Sequence, residues 1–344
     1  MKKPESSGWK IFLALILGIM GSQLSIATSQ ANPNYTSFKE LCLAKESLPE
    51  ETRHTVALLL KKVETDDCDE ADWRVSRLTL LSWSGKNITD ISPLRYLVNL
   101  TRLNLSGNNI SNINSLQYLT RLSKVDVSRN KIDNIEPLKY LIFLTEIELH
   151  YNQINDLTPL SKLKELTIVN LGSNKISDLT PLSNLINFEY LDLSNNQINE
   201  LSPLSTLNNL TDLDLNNNQI DDLKPISNLN SLYTLYVTDN QINDLTPLAS
   251  LTQLTSLSLS RNKIINLVPL TNLSQMLFLD LDNNLIRDIS PLTNLSNLRE
   301  LNLENNQIED ATPLANLKTI ASLCLEGNSL HLTSAPLQFS DCIY

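Results

Sequence analysis

The chain has 344 residues, with 27 Lys+Arg against 38 Asp+Glu and a formal net charge of −11. An acidic balance of this size repels nucleic acid and anionic lipid on average, so neither is expected as a partner. The length alone would allow two average domains, but a fixed-period repeat has to be sought before dividing by domain size.

Residues 1–31 read as a secretory signal. Lys2, Lys3 and Lys10 form a basic start, Ile11 to Met20 is an unbroken apolar run, and Ser29 and Ala31 supply small residues at the end. Ten apolar residues are too few to span a bilayer, and no later stretch is long and apolar enough to anchor the chain. An uncleaved anchor is the alternative reading. No cysteine stands at the cleavage site, which excludes the lipoprotein pattern. Cleavage removes three basic residues and Glu5, leaving 27 − 3 = 24 against 38 − 1 = 37, a net −13. After cleavage no membrane insertion is expected, and the product is secreted or held in the periplasm or cell envelope.

Residues 32–77 are expected to form a helical cap. Phe38, Leu41 and Cys42 lie at i, i+3 and i+4, and Val56, Leu59, Leu60 and Val63 make a second helical face. Between them "SLPE", Ser47 to Glu50, has the form of a capping box opening the second helix. The four cysteines sit at the ends, Cys42 and Cys68 before the repeats, Cys324 and Cys342 after them. Nearness in an exported chain suggests the pairs 42–68 and 324–342. Zinc is a poor rival, because neither pair is close-spaced and His54 and His331 complete no metal-binding pattern. Cys324 lies between Leu323 and Leu325, where its side chain should face the concave surface. Either the tail wraps onto that surface, where a closed loop of this size would contribute about 3 kcal/mol, or the thiol is free.

From Leu100 onward the chain repeats LxxLxLxxNxIxxLxPLxxLxx every 22 residues, without insertion or deletion. The Asn recurs at Asn108, Asn130, Asn152, Asn174, Asn196, Asn218, Asn240, Asn262, Asn284, Asn306 and Asn328. An atypical first unit begins at Leu78 and has Lys86 in place of the Asn. The L-x-L segment, such as Leu191 and Leu193, is a short strand with inward leucines. Pro203-Leu204 and Leu207 suit a 3-10 or single-turn return. One coil cannot bury its own apolar side, whereas stacked coils share a continuous core. The Asn amide carries two donors and an acceptor, so one inward side chain can satisfy backbone groups of its own coil and the next. This ladder is therefore structural.

The pattern is identified as a leucine-rich repeat, and "NQINDLTPLASL" at 240–251 and "NKISDLTPLSNL" at 174–185 resemble the bacterial, internalin-like class. The resemblance covers roughly residues 78–335 and implies an α/β solenoid. Its parallel sheet would line the concave side, with short 3-10 or helical turns on the convex side. It also implies protein binding as the usual work of the fold. Internalins add an immunoglobulin-like domain and surface anchors that this sequence does not show, which argues against host-cell invasion. The segment "ETRHTVALLLKKVETDDCDEAD" resembles the N-terminal cap of exported cyanobacterial leucine-rich repeat proteins. Residues 336–344 are expected to fold over the last coil as a C-terminal cap.

Function is sought at the variable outward positions. The central outward column reads Asn104, Asp126, Glu148, Asn170, Asp192, Asp214, Tyr236, Ser258, Asp280, Asn302. Against this polar background, Tyr151, Ile168, Tyr190, Tyr233, Tyr236 and Phe278 are large outward side chains of the kind that form binding hot spots. Charge also changes along the array, from Arg102, Lys124 and Arg129 to Asp280, Asp282, Glu300, Glu304 and Glu326. The acidic end raises calcium as a minor possibility, but no metal or cofactor is assigned. His150 has Glu148 two residues before it, yet no serine or cysteine nucleophile with a matching base emerges, so catalysis is not expected. The expected function is binding of a protein or peptide through the concave face by a monomer. The alternative is a structural envelope component that self-associates through its flanks.

Overall fold

The computed structural model describes residues 35–331. Twelve three-residue strands, β1 (Leu80–Ser82) to β12 (Ser322–Cys324), form one parallel sheet in strict chain order. Register is set by the period: Leu81 pairs with Leu103, and Leu191 with Leu213, 22 residues on. Each strand has the same alternation, an inward middle residue between two outward ones. Twelve strands at about 4.8 Å give a sheet roughly 55 Å along the stack. The strands are β2 (Arg102–Asn104), β3 (Lys124–Asp126), β4 (Glu146–Glu148), β5 (Ile168–Asn170), β6 (Tyr190–Asp192) and β7 (Asp212–Asp214). They continue as β8 (Thr234–Tyr236), β9 (Ser256–Ser258), β10 (Phe278–Asp280) and β11 (Glu300–Asn302).

Each coil contributes the same apolar set. In the unit from Leu100, Leu103, Leu105, Ile110, Ile113, Leu116 and Leu119 are all 2% exposed or less. Phe188 and Met276 replace the leading leucine in two units and are equally buried. In the last described unit Ile320, in that position, is only partly covered by the described residues.

Behind the strand the backbone reverses through a left-handed residue, from Gly85 and Gly107 through Arg129 and Asn195 to Asn305 and Gly327. The next residue is the ladder position. Asn196 shows the pattern: its amide donates to Leu193 O at 3.0 Å in its own coil and to Leu171 O at 3.1 Å in the preceding one. Its Oδ1 accepts Ile176 N–H at 3.0 Å, also from the preceding coil. The bonds recur from Asn108 to Asn328. Lys86 lacks an amide, but its N–H is taken by Asn108 Oδ1 at 2.9 Å and its carbonyl by His54 Nε2 at 2.9 Å from the cap. The first coil has no coil before it to bind, and the cap takes over that side.

On the convex side the acidic or amide residue of "NxIxDLxPL" has its own task. Asp178 accepts Thr180 N–H at 2.8 Å, opening the 3-10 turn Thr180–Leu182, and Asp156, Asp244 and Asp310 repeat the contact. These hydrogen bonds to the Thr hydroxyl and N–H hold the Asp178, Asp244 and Asp310 carboxyls below the usual aspartate range. Their contribution is present above the unfolded-state pKa and is lost as pH falls through the folded one.

The N-terminal cap contains three helices: α1 (Phe38–Leu43), α2 (Glu50–Val63) and α3 (Cys68–Val75). α3 was not foreseen. Asp67 caps it by accepting Glu70 N–H at 2.9 Å. The capping box expected at Ser47 is not formed: Pro49 precedes α2 without a side-chain cap, and Ser47 Oγ instead donates to Ala44 O at 2.8 Å. Ser47 closes a short 3-10 turn (Lys45–Ser47), so its hydroxyl is already engaged. Cys42 and Cys68 are joined by a disulfide between α1 and α3. Thr52 and Thr55 on α2 dock the cap onto the first coil by donating to Asp90, at 2.6 and 2.5 Å. Cys324 is not a free thiol; it is disulfide-bonded and 5% exposed. The signal at 1–31, Cys342 and the C-terminal cap at 336–344 lie outside the described residues.

Asn196→Ala should lower stability by about 2–4 kcal/mol, since it orphans carbonyls and an N–H in two coils. Asn196→Asp should cost nearly as much, because a carboxylate cannot donate; denaturant unfolding of the two variants checks this. Ser115 occupies a second 3-10 position that is proline in Ser92–Tyr96 and Glu136–Tyr140, and its buried hydroxyl has no partner. Ser115→Pro should therefore raise stability by about 1 kcal/mol, read in the same assay.

Candidate binding surface on the concave sheet

The outward strand positions form three columns along the sheet, but they are not equally free. In the central column Asn104, Asp126, Asn170, Asp192 and Asp214 each accept the N–H two residues ahead, at 2.8–3.1 Å. They terminate their own strands as Asx turns. This corrects the reading of that column as available for partners: much of its Asn/Asp content belongs to the fold. Glu148, Tyr236 and Ser258 depart from the pattern.

The six large outward residues do not form one patch. Ile168 and Tyr190 stand side by side on β5 and β6. Tyr236 and Phe278 line a hollow of about 260 Å3 at β8–β12, floored by Leu257, Leu279 and Leu301 and closed at its far end by Ser322 and Cys324. β7, with Asp212 and Asp214, lies between the pairs. Tyr236 is half-buried and its hydroxyl accepts from Ser256 Oγ at 3.3 Å. Tyr233 precedes β8, outside the strand columns, and is exposed. Tyr151 sits in a left-handed turn after β4 with φ 54°, packed edge-on to His150 and under the Arg129 guanidinium at 4.6 Å. Its ring touches these neighbours and is still 53% exposed.

The charge gradient is reshaped. Lys124 is paired with Glu146, and Arg129 is stacked on Tyr151. A hollow of about 480 Å3 at the N-terminal end is lined by Leu80, by Arg102, Lys124 and, from α2, Lys62, and by the carboxylates of Asp126, Glu146 and Glu148. Leu80 is 54% exposed. Neither Lys62 nor Leu80 was identified from sequence. Extending the 22-residue register one unit back from Arg102 would have found Leu80. No such signal existed for Lys62, whose reach depends on how α2 docks.

At the centre, burial pushes the Asp214 carboxyl up to about 6, helped by the Asp192 charge and opposed by the Asn216 N–H bond. Burial, then Asp192, Asp214, Glu148 and Asp212, pushes the Tyr190 phenol to about 12. Glu148 is raised by burial although His150 Nδ1 lies 3.1 Å away. Asp280 is likewise raised by burial, against hydrogen bonds from Ser260 and Ser258. Gly172 has a φ that any residue could adopt; its role is spatial, since a Cβ there would meet both Asp192 carboxylate oxygens at 3.1 Å.

The His150–Glu148 pair has no nucleophile attached. Ser128, one strand away, donates to Asp126 at 2.7 Å instead. Among the described residues no group of three or more His, Cys, Asp or Glu side chains converges on a metal position, so the acidic C-terminal strands do not assemble a calcium cage there. No helix among them is long and apolar enough to cross a membrane.

The raised Asp214 has a sign that can be checked. Its contribution is fully present below the unfolded aspartate value and lost as pH rises through about 6. Asp214→Asn keeps the turn acceptor and removes the charge, so it should stabilise the protein by about 1–2 kcal/mol at pH 7. The gain should vanish near pH 4, as thermal unfolding at both pH values will show.

A family model described as leucine-rich repeats (2 copies) matches residues 98–140, 143–184, 186–228, 208–250 and 274–316. No curated protein matches the chain significantly. Among solved structures, an internalin (InlF) from Listeria monocytogenes is 37% identical with a TM-score of 0.75, covering 76% of this chain and 77% of that one. Internalin C2 from the same organism is 32% identical over 59% of this chain and 91% of that one, TM-score 0.56. A leucine-rich repeat protein of Leptospira interrogans is 26% identical, TM-score 0.71, over 76% of this chain and 69% of that one. The repeat, the ladder and these likenesses agree: the chain belongs to the leucine-rich repeat family, in its bacterial internalin-like class.

Proposed function

We propose that the chain is an exported binding protein that holds a protein or peptide partner on its concave sheet. The observation that carries this reading is the placement of Ile168 with Tyr190, and of Tyr236 with Phe278, at outward strand positions. Tyr190 is 38% and Phe278 40% exposed on a sheet whose other outward residues are mostly polar. Exposed aromatics framed by polar side chains are the usual anchors of binding hot spots. Export is supported by the leader-like start and by the Cys42–Cys68 disulfide, a bond that persists in oxidising compartments. A rigid, open surface without an assembled nucleophile favours binding over catalysis.

A second reading, self-association through the flanks, is favoured by Tyr118, Tyr140, Ile142 and Phe143. These lie off the concave sheet in consecutive coils and are 45–60% exposed. Residues 32–344, immobilised, should retain a partner from culture medium or envelope extract. A Tyr190→Ala/Tyr236→Ala variant of equal thermal stability should lose it. Retention by both forms would remove the site from the concave sheet. Oligomers that dissociate with Phe143→Ser but ignore the tyrosine substitutions would establish the second reading instead.

A further inference from the structure

The concave sheet has two electrically different regions, each defined by its own geometry. At β1–β4 the N-terminal hollow presents the exposed Leu80 with Lys62 and Arg102, and its three carboxylates are engaged by their own neighbours, Asp126 by Ser128, Glu146 by Lys124 and Glu148 by His150. Lys124, the third cation there, is neutralised by Glu146, whereas Lys62 and Arg102 have no carboxylate partner among the described residues. At β5–β7 the exposed face of Tyr190 adjoins Ile168 on one side and Asp212 and Asp214 on the other. From β4 to β11 no Lys or Arg occupies any of the three outward columns. Here Asp192 and Asp214 each engage one oxygen in their own turns, and among the described residues neither is ion-paired with a Lys or Arg.

Resting on the concave-face reading above, we infer that the occupant is an extended polypeptide segment with a fixed polarity. It sets a carboxylate beside Lys62 and Arg102 and a Lys or Arg side chain over Tyr190, Asp212 and Asp214. The aliphatic stem of that cation lies along Tyr190 and Ile168, and the ring face adds cation–π attraction. Arg102 on β2 and Asp212 on β7 are five strand steps apart, about 24 Å. Roughly seven extended residues span that distance. Both ends therefore suit one short segment, with apolar contact at Leu80 beside the Arg102 end and at Ile168 along the way. A nucleic acid would meet the central carboxylates with like charge, and a second copy would oppose its own acidic centre. The burial that leaves Asp214 and Tyr190 reluctant to ionise supports the assignment, because a cation from a partner relieves it.

Two peptides of one composition test it: Ac-Glu-Leu-Ser-Gly-Ser-Gly-Ser-Lys-NH2, with its charges seven residues apart, and Ac-Ser-Gly-Leu-Glu-Lys-Ser-Gly-Ser-NH2, with them adjacent. Titration at low ionic strength should show the first binding about fivefold tighter, one charge pair's worth. Lys62→Ala/Arg102→Ala and Asp212→Asn/Asp214→Asn should each weaken the first peptide by a similar factor. When the peptide's Glu is replaced by Gln, the Lys62/Arg102 substitution should no longer matter. When its Lys is replaced by Gln, the Asp212/Asp214 substitution should no longer matter. The Asn variant should also be more stable than wild type, which separates lost binding from damaged folding. Equal affinity for the two peptides, no saturable binding up to about millimolar concentration, or losses indifferent to the peptide's charges would overturn the polarity. A partner captured through Tyr190 and Tyr236 in the same protein would then leave the concave-face reading standing without it.

Discussion

From the second coil onward, every coil of this protein depends on one asparagine amide in its turn. The strand is only three residues long, and although the ladder continues into the turn, inward groups such as Leu171 O, Leu193 O and Ile176 N–H are bound by the amide. Burying them unpaired would cost about 1–3 kcal/mol for each group, in every coil. The amide takes up carbonyls on both sides and an N–H on one, joining each coil to its predecessor. A one-residue slip would disconnect two coils at once. Unbroken periodicity and a single open sheet follow from that requirement.

The same requirement separates what the fold uses from what it leaves free. Leucines and the ladder fill the interior, convex Asp residues open the 3-10 turns, and the central outward column largely closes the strands that carry it. What remains is narrower than the columns suggest: two outward apolar pairs, a mixed-charge hollow beside the cap in which Lys62 and Arg102 stand unpaired among the described residues, and an acidic stretch at β7. Acidic residues occur in two opposite electrostatic settings. On the convex rim hydrogen-bond donors stabilise their charge; on the concave floor burial opposes it. The floor is thus held in a state that its own neighbours do not favour, and a cationic partner is the natural complement.

The ends show how a solenoid is closed. At the start, helices α1–α3, their disulfide and two threonines on Asp90 replace the missing coil, and His54 meets the Lys86 carbonyl. This helical cap also carries Lys62 to the rim of the sheet, so a closure device contributes to the surface it borders. At the far end the described coil loosens at Ile320.

The 22-residue pattern by itself determined the solenoid, the strand positions, the buried leucines and the purpose of the asparagine, because each coil meets only its neighbours and local spacing is enough. It also located the apolar strand residues Ile168, Tyr190, Tyr236 and Phe278. Tertiary structure alone decided the rest. It sorted those residues into two pairs, set the exposed Tyr151 against Arg129 and His150, and assigned much of the central column to strand termination. It neutralised Lys124 with Glu146 and brought Lys62 from a helix outside the repeat. The physical reason is range: stacking is a nearest-neighbour property written in the period, whereas side-chain pairing, burial and cap docking depend on contacts that no period encodes.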